Sequence, residues 1–544
     1  VKAIKNKHIL WLILACIAIF FVNLDALYVN IMEARNFTTA REMLDDGNWL
    51  LTTLNGEPRY QKPPLPTWIT AVSGAIFGLK NIAALRMPAA LMGLLLVLTS
   101  YLFAVKLTKD KTYAFLACLV MATSFYVVSA SRDGNWDIFT HAFMMVGIWQ
   151  LYLFFTSEDK KYQRALLAAV FFGFSFMSKG PVSLYALLLP FLISLGIVYR
   201  YKNIKKRILP LILFILVALV ISGWWHWYTY TYDPETVAAI TQKETSNWTG
   251  YNVRPFYYYW SFFTQSGVWT LIAFIGLLYP YLKDRVFNKQ AYRFTLLWTL
   301  LSLVLLSVIP EKKSRYLLPV LIPLALNTGF YIEYLFRRFS EIKDKRETWP
   351  VYFNFGLIAF IGVVFPIAGY LFLKDQLAGK WIWFILLSIS LFGIGIYIIR
   401  NLLRKQIKGV FYATILFIAA IICFGMPLAK TLTVNPGFKS MAELPRWQTE
   451  TGLEVYEMTY FTPELIWAYG KPIKVLRKEG TVGIPEEDSF AVLVSRDDVE
   501  LFKRTFKDYD TRLITRYDMN PKGEEDRSHK PRLYRDLYVV SANR

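Results

Sequence analysis

Apolar runs fill most of the first 430 residues, separated by short links in which Lys and Arg gather. Runs of about 18 residues are long enough to cross a hydrocarbon core of ~30 Å. They predict helical spans at 9–27, 83–105, 113–130, 137–155, 163–178, 181–199, 207–225, 257–281, 293–309, 315–336, 351–373, 380–400 and 409–428. One further run, 68–79 (WITAVSGAIFGL), has only about 12 residues, the length of an interfacial or re-entrant helix. The first run follows a basic N-terminal stretch but has no small-residue cleavage site, so it reads as a retained helix.

Past residue 430 the pattern changes period. LEVYEMTY, PIKVL, SFAVLVS and LYRDLYVVS read as short strands, and TPELIWAYG and RDDVELFKRTF as helices. The fold expected is an all-α polytopic membrane protein of about 13 spans, residues 1–428, followed by a small soluble α/β domain, residues 429–544.

Charge orients the spans. Basic links lie at 106–111, 158–164, 199–207, 283–293, 337–346 and 400–408. With Lys2, Lys5 and Lys7 inside, all six fall on the cytoplasmic face, provided 68–79 does not cross. The long loop 28–82, SRDGNWD at 131–137, the loop 226–256 and the tail then share the outer face. Sites favour longer loops, so the chemistry is expected there.

Composition supports this reading. The chain is 55% hydrophobic and 19% charged, more apolar side chain than a soluble domain of 544 residues can hide. Its net charge of +21 sits mostly in the links, so it marks orientation and lipid headgroups rather than nucleic acid. Cys16, Cys118 and Cys423 all lie within predicted spans and suggest neither a disulfide framework nor a zinc site.

The outer loops hold the candidate chemistry. Glu33 is expected at the end of the first span, where partial desolvation tunes a carboxylate for proton transfer. Arg41, Glu42, Asp45 and Asp46 read as solvated charges of a surface helix. Lys62 precedes Pro63 and Pro64, which stiffen its backbone. Asp137 ends SRDGNWD beside Arg132 and Asp133, and His141 lies one turn further on the same face. That pair reads as buried and hydrogen-bonded, and two ligands are too few for a structural metal site. The aromatic run 257–260 serves equally as a sugar-stacking surface or an interfacial belt.

Several of these segments form ordered motifs. E-A-R-x-F-x-x-A-R-E-M-L-x-x-G-x-W from Glu33 and N-G-x-x-x-x-x-K-P-P-L-P-x-W from Asn55 resemble the first outer loop of the aminoarabinose lipid A transferases and related protein mannosyltransferases. Phe176–Gly180, Arg254–Tyr258 and SVIPEKKSRYLLPVLIPLAL (307–326) resemble that family's later motifs, in order. The resemblance covers 28–326 and implies a GT-C fold and inverting transfer from a polyprenyl-phosphate sugar. Where members often carry Asp-Glu this chain has Met32-Glu33, leaving Glu33 the single carboxylate there.

The resemblance thus implies Glu33 and Asp137 as catalytic carboxylates. Arg35, Arg59, Lys62, Arg132, Lys179, Arg254, Lys312, Lys313, Arg315 and Tyr316 are the implied substrate-binding groups. Expected partners are a polyprenyl-phosphate-linked sugar, a lipid A-type or protein acceptor and membrane lipids, with no nucleic acid. No resident cofactor or metal ligand set is named, and a divalent cation is left open. The expected location is the bacterial inner membrane, with the site on the periplasmic side. A protein O-glycosyltransferase of the same fold and a lipid-linked-sugar flippase remain alternatives; few charges within the spans argue against the flippase.

Overall fold

The computed structural model describes residues 7–478 and 480–542. Lys2 and Lys5, used above for orientation, lie outside the described residues. The chain divides into two compact units. One runs to Ala26 and resumes over Tyr60–Leu428; the other joins Leu27–Arg59 to the tail from Ala429.

The first unit is a helical bundle. Among the described residues, eight helices are long and apolar enough to cross a membrane: Ile82–Thr108, Asp137–Thr156, Ile204–Tyr232, Lys289–Val308, Ser314–Arg338, Lys345–Gln376, Trp381–Leu403 and Ile407–Leu432. The chain is a multi-pass membrane protein. Lys111–Thr123 and Phe125–Arg132 would make a ninth span, bent by 63°. At the bend, the Thr123 and Ser124 hydroxyls donate to the Leu119 and Val120 carbonyls at 2.6 and 2.7 Å. Such back-bonding competes with the helical ladder and bends it. Lys7–Phe21, Leu65–Phe77 and Leu184–Tyr199 are shorter apolar helices.

The run 257–281 does not form the continuous helix expected of it. It breaks into the 3-10 turns Phe256–Tyr259 and Phe262–Trp269 and the short helices Thr270–Gly276 and Tyr279–Leu282. Gly267 takes φ 66°, which a helix cannot contain.

Among the described residues the second unit carries nine strands in three sheets. β1 (Thr53–Leu54) and β2 (Glu57–Pro58) form a hairpin. β3 (Val455–Glu457), β4 (Lys474–Val475), β7 (Ser489–Val494), β8 (Tyr509–Asp518) and β9 (Tyr534–Ala542) form a five-stranded sheet, while β5 (Arg477–Lys478) and β6 (Thr481–Val482) pair apart from it. Sheet order is β4-β3-β7-β9-β8. β3 runs parallel to both β4 and β7, and β9 antiparallel to β7 and β8. β7 reads SFAVLV with five of its six residues buried, as befits a central strand.

The helix Ile31–Asp45 also belongs to this unit, and it corrects two expectations. Glu33 does not end the first span; it lies in the first turn of this later helix, where Asn30 is the N-cap. The Asn30 side chain accepts from the Met32 and Glu33 backbone N–H groups, and Glu33 Oε2 accepts from Asn30 N and Nδ2 at 3.2 and 3.0 Å. This reciprocal capping box halts the chain's extended run and starts a new helix. Arg41 and Glu42 are buried rather than solvated. Arg41 donates to the Ile466 carbonyl at 3.3 Å. Glu42 accepts from Asn55 N at 2.7 Å, Gly56 N at 3.3 Å and Thr53 Oγ1 at 2.6 Å, so one carboxylate closes the β1–β2 turn. Asp45 and Asp46 are exposed as expected.

Candidate active site

The helices Asp137–Thr156 and Lys161–Lys179 pack as an antiparallel pair, which brings the first residue of one beside the last residue of the other. Lys179 Nζ donates to Asp137 Oδ1, and each side chain is only 10% exposed. An anion at a helix N-terminus and a cation at a C-terminus both match the helix dipoles, so the backbone reinforces the pair. Asp137 is set by Asn135, whose Oδ1 accepts from Asp137 N at 2.9 Å and whose Nδ2 donates to Asp133 at 2.7 Å.

Three cations surround one ring. Lys179 Nζ lies 5.0 Å from the Tyr316 ring centroid, Lys313 Nζ 5.7 Å and the Arg315 guanidinium 5.8 Å. The π face partly offsets their repulsion. Arg315 also lies within electrostatic reach of Asp137, and its Nε is buried without a hydrogen-bond partner. Glu311 anchors the far side, accepting from Lys313 Nζ at 2.6 Å and from Tyr316 OH at 3.1 Å. The result is three cations against two carboxylates, Asp137 and Glu311, at one end of the bundle, a net positive site. Chemically, it suits a group that carries negative charge or develops it.

The neighbouring candidates do other work. Lys312 is buried, and its ammonium donates to the carbonyls of Ile309 at 2.6 Å, Arg254 at 3.1 Å and Pro310 at 3.5 Å. Burial lowers the Lys312 ammonium below the ordinary lysine range. Together with Arg254 N→Pro310 O and Lys312 N→Asn252 O, both 3.1 Å, it ties the 252–254 strip to the 310–312 turn. The Arg254 side chain itself is exposed. Arg132 donates to the carbonyls of Ile19 and Asn23, both at 2.8 Å, and so caps the first helix. Lys62 is half-buried beside the buried Pro63 and Pro64, which lead into the helix Leu65–Phe77. Glu33, Arg35 and Arg59 belong to the second unit. Arg35 Nη1 donates to Met32 Sδ at 3.9 Å, and the backbone of buried Arg59 pairs with Thr52.

His141 and Asp137 are both buried, as expected, but each bonds elsewhere. His141 Nδ1 meets Ser183 Oγ at 2.7 Å, a partner that nothing in the sequence pointed to. Glu311, a lone carboxylate inside the basic PEKKSR turn, is a site residue that its sequence context does not mark as one. In the aromatic run, Tyr259 is buried and bonds both the N–H and C=O of Lys313 at 3.1 Å, whereas Tyr257 and Trp260 are exposed. Among the described residues no group of three or more His, Cys, Asp or Glu could hold a metal ion.

Comparison with known proteins agrees with this architecture. Residues 61–227 match the dolichyl-phosphate-mannose-protein mannosyltransferase family. Curated relatives include an undecaprenyl phosphate-alpha-4-amino-4-deoxy-L-arabinose arabinosyl transferase of Pseudomonas fluorescens, 29% identical over 55% of this chain and 54% of its own length. A transferase of the same name from Yersinia enterocolitica is 26% identical over 58% of each chain. The chain thus spans little more than half the length of these relatives. The crystal structure of ArnT from Cupriavidus metallidurans bound to undecaprenyl phosphate shares the fold over 98% of both chains, with a TM-score of 0.74 at 15% identity. The ordered motifs, the matched segment and the shared fold agree: the chain is similar to the polyprenyl-phosphate-sugar-dependent glycosyltransferases, the aminoarabinose transferases among them.

Proposed function

We propose that this protein transfers a sugar from an undecaprenyl-phosphate-type donor to an extracytoplasmic acceptor, with inversion, by single displacement. The observation that supports this most is the gathering of Lys179, Lys313 and Arg315 on Tyr316 beside Asp137. In the reaction the acceptor oxygen forms a bond to the anomeric carbon as the carbon–oxygen bond to the polyprenyl phosphate breaks. The phosphate leaves with the electron pair, and the three cations neutralise its growing charge. Arg315 presents a planar fork to phosphate oxygens; Lys179 and Lys313 act as point charges.

Asp137 steadies positive charge at the sugar or takes the proton of a hydroxyl acceptor. Glu33 is the second carboxylate candidate, with Arg35, Arg59, Lys62, Arg132 and Arg254 as further donor- or acceptor-binding groups. Lys312 holds the turn that carries Lys313 and Arg315. The relatives' printed sugar, 4-amino-4-deoxy-L-arabinose, and a lipid A-type acceptor are the first to test, and a protein acceptor is the alternative. The topology proposed is thirteen crossings over 1–428 in the bacterial inner membrane, with 257–281 crossing as a broken run, and with the site and the domain 429–544 on the periplasmic side.

The test is purified protein with undecaprenyl-phosphate sugars and candidate acceptors, comparing wild type, Asp137→Asn and Glu33→Gln. Sugar transfer that Asp137→Asn abolishes is the expected result. Full turnover by either variant removes that carboxylate from the mechanism. Movement of donor between leaflets with its bond intact would replace the transferase reading with a flippase.

A further inference from the structure

A polar cavity lies at the end of the bundle opposite the Asp137–Lys179 pair. From Leu318 to Arg338 the chain is one helix of 21 residues. At 1.5 Å per residue that places Arg337 and Arg338 about 30 Å from Tyr316, one hydrocarbon thickness away. A cavity of about 380 Å³ opens there, lined by Asp284, Arg285, Tyr334, Arg337, Arg338 and Glu341.

Its floor is fixed. Arg285 donates to Glu347 at 3.1 Å and to the Tyr281 carbonyl at 2.7 Å, and lies 4.3 Å over the Tyr281 ring. Glu347 also accepts from Tyr281 OH at 2.7 Å. Arg337 donates to Glu333 at 2.5 Å and to the Arg285 carbonyl at 3.0 Å. The rim is loose by contrast. Arg338 pairs with Glu341 at 2.6 Å with side chains 57% and 61% exposed, and Asp284 pairs with Lys289 at 2.8 Å, equally open to solvent. Exposed pairs of this kind hold weakly and exchange partners readily.

The lining sets three guanidinium groups against two carboxylates. An anionic headgroup would satisfy the arginines but face Asp284 and Glu341 across the same space. A zwitterion of phosphate and primary ammonium fits both: the phosphate takes the fork of Arg338, and the ammonium takes the Glu341 carboxylate that Arg338 releases. No charge is stranded by the exchange. The level in the bilayer also fits, because Trp349, 62% exposed and stacked 5.2 Å from Phe353, stands less than one turn past Glu347. Exposed aromatics of this kind mark the headgroup layer. We propose that this recess is a binding site for a phosphoethanolamine headgroup, supplied by a membrane phospholipid.

Full-length protein in phosphatidylcholine nanodiscs, doped equally with phosphatidylethanolamine and phosphatidylglycerol, tests this by native mass spectrometry of retained lipid. Phosphatidylethanolamine should be retained over phosphatidylglycerol by about fivefold or more, as expected for a charge-assisted contact pair. In Asp284→Asn/Glu341→Gln the preference should turn toward phosphatidylglycerol, and Arg338→Gln should weaken retention of both. Equal or preferred retention of phosphatidylglycerol by wild type, or retention of neither lipid, overturns the proposal. Competition by soluble glycerophosphoethanolamine at the lipid's own effective concentration overturns the membrane source, leaving a soluble headgroup as occupant.

Discussion

Lys179 ends one helix by donating a hydrogen bond to Asp137, which begins the helix packed against it. Both side chains are only 10% exposed, so neither charge can turn to bulk water if the other is removed. Breaking a buried pair from one side costs about 3–5 kcal/mol, whereas removing both charges strands nothing. Asp137→Asn and Lys179→Met should each lower the melting temperature of the purified protein. The double variant should melt above either single one while remaining inactive. A double variant that melts at the additive sum would show that the two do not act as a pair.

Glu42 gives a prediction independent of catalysis. Its carboxylate takes the Asn55 and Gly56 N–H groups and the Thr53 hydroxyl. Leaving the buried Asn55 N–H unpaired costs about 1–3 kcal/mol. Glu42→Ala should therefore speed hydrogen exchange at Asn55 and Gly56 specifically, with amides of the five-stranded sheet unchanged.

The second unit carries a pH dependence. Burial pushes the Glu457 carboxyl up to about 7 from its usual 4.5, against the pull of Arg535, which donates to it at 2.6 Å. Arg535 is also held by the carbonyls of Tyr534 at 2.7 Å and Arg532 at 3.3 Å, so it does not depend on Glu457 alone. Between those two pH values the folded state binds more proton than the unfolded one, so this group's contribution is full below 4.5 and is lost as pH rises through about 7. Thermal unfolding followed from pH 4.5 to 7 should show stability falling, and Glu457→Gln should flatten that slope.

Lys312 and Arg315 should separate cleanly. Lys312 spends its protons on backbone carbonyls, while Arg315 keeps a buried Nε without a partner. Lys312→Met should open the 252–254 strip to protease. Arg315→Met should leave cleavage unchanged and weaken donor binding by about tenfold, the loss of one charge-assisted contact.

These contrasts show where the sequence was readable. Spans such as 351–373 and 380–400 announce themselves by length and apolarity, because lipid demands an unbroken run. The bend at Ser124 and the 3-10 turns after Pro255 do not, since hydroxyl back-bonding and one glycine in a left-handed conformation leave the apolar run intact. β8 escaped because its exposed edge reads YDTRLITRYD, with charges where a buried strand would alternate. At the site, residue types on the outer loops were legible but partners were not. Asp137 and Lys179 stand 42 positions apart, and Lys312 looks no different in sequence from Lys313, although one faces carbonyls and the other a ring.

Tyr316 tests that distinction most directly. Its hydroxyl bonds Glu311 at 3.1 Å, while its ring lies within 5.8 Å of Lys179, Lys313 and Arg315. Each cation–π contact at a partly desolvated site contributes about 0.5–2 kcal/mol. If the ring's role is to hold three like charges together, Tyr316→Phe should keep donor affinity within about twofold, because the quadrupole survives. Tyr316→Leu should weaken it by about tenfold or more, and the loss should grow at low ionic strength, where the unshielded cations repel most. Isothermal titration with undecaprenyl phosphate at two salt concentrations separates these outcomes. Equal losses in Phe and Leu would instead assign the effect to the Glu311 hydrogen bond, making the hydroxyl, not the ring, the group that arranges the cations.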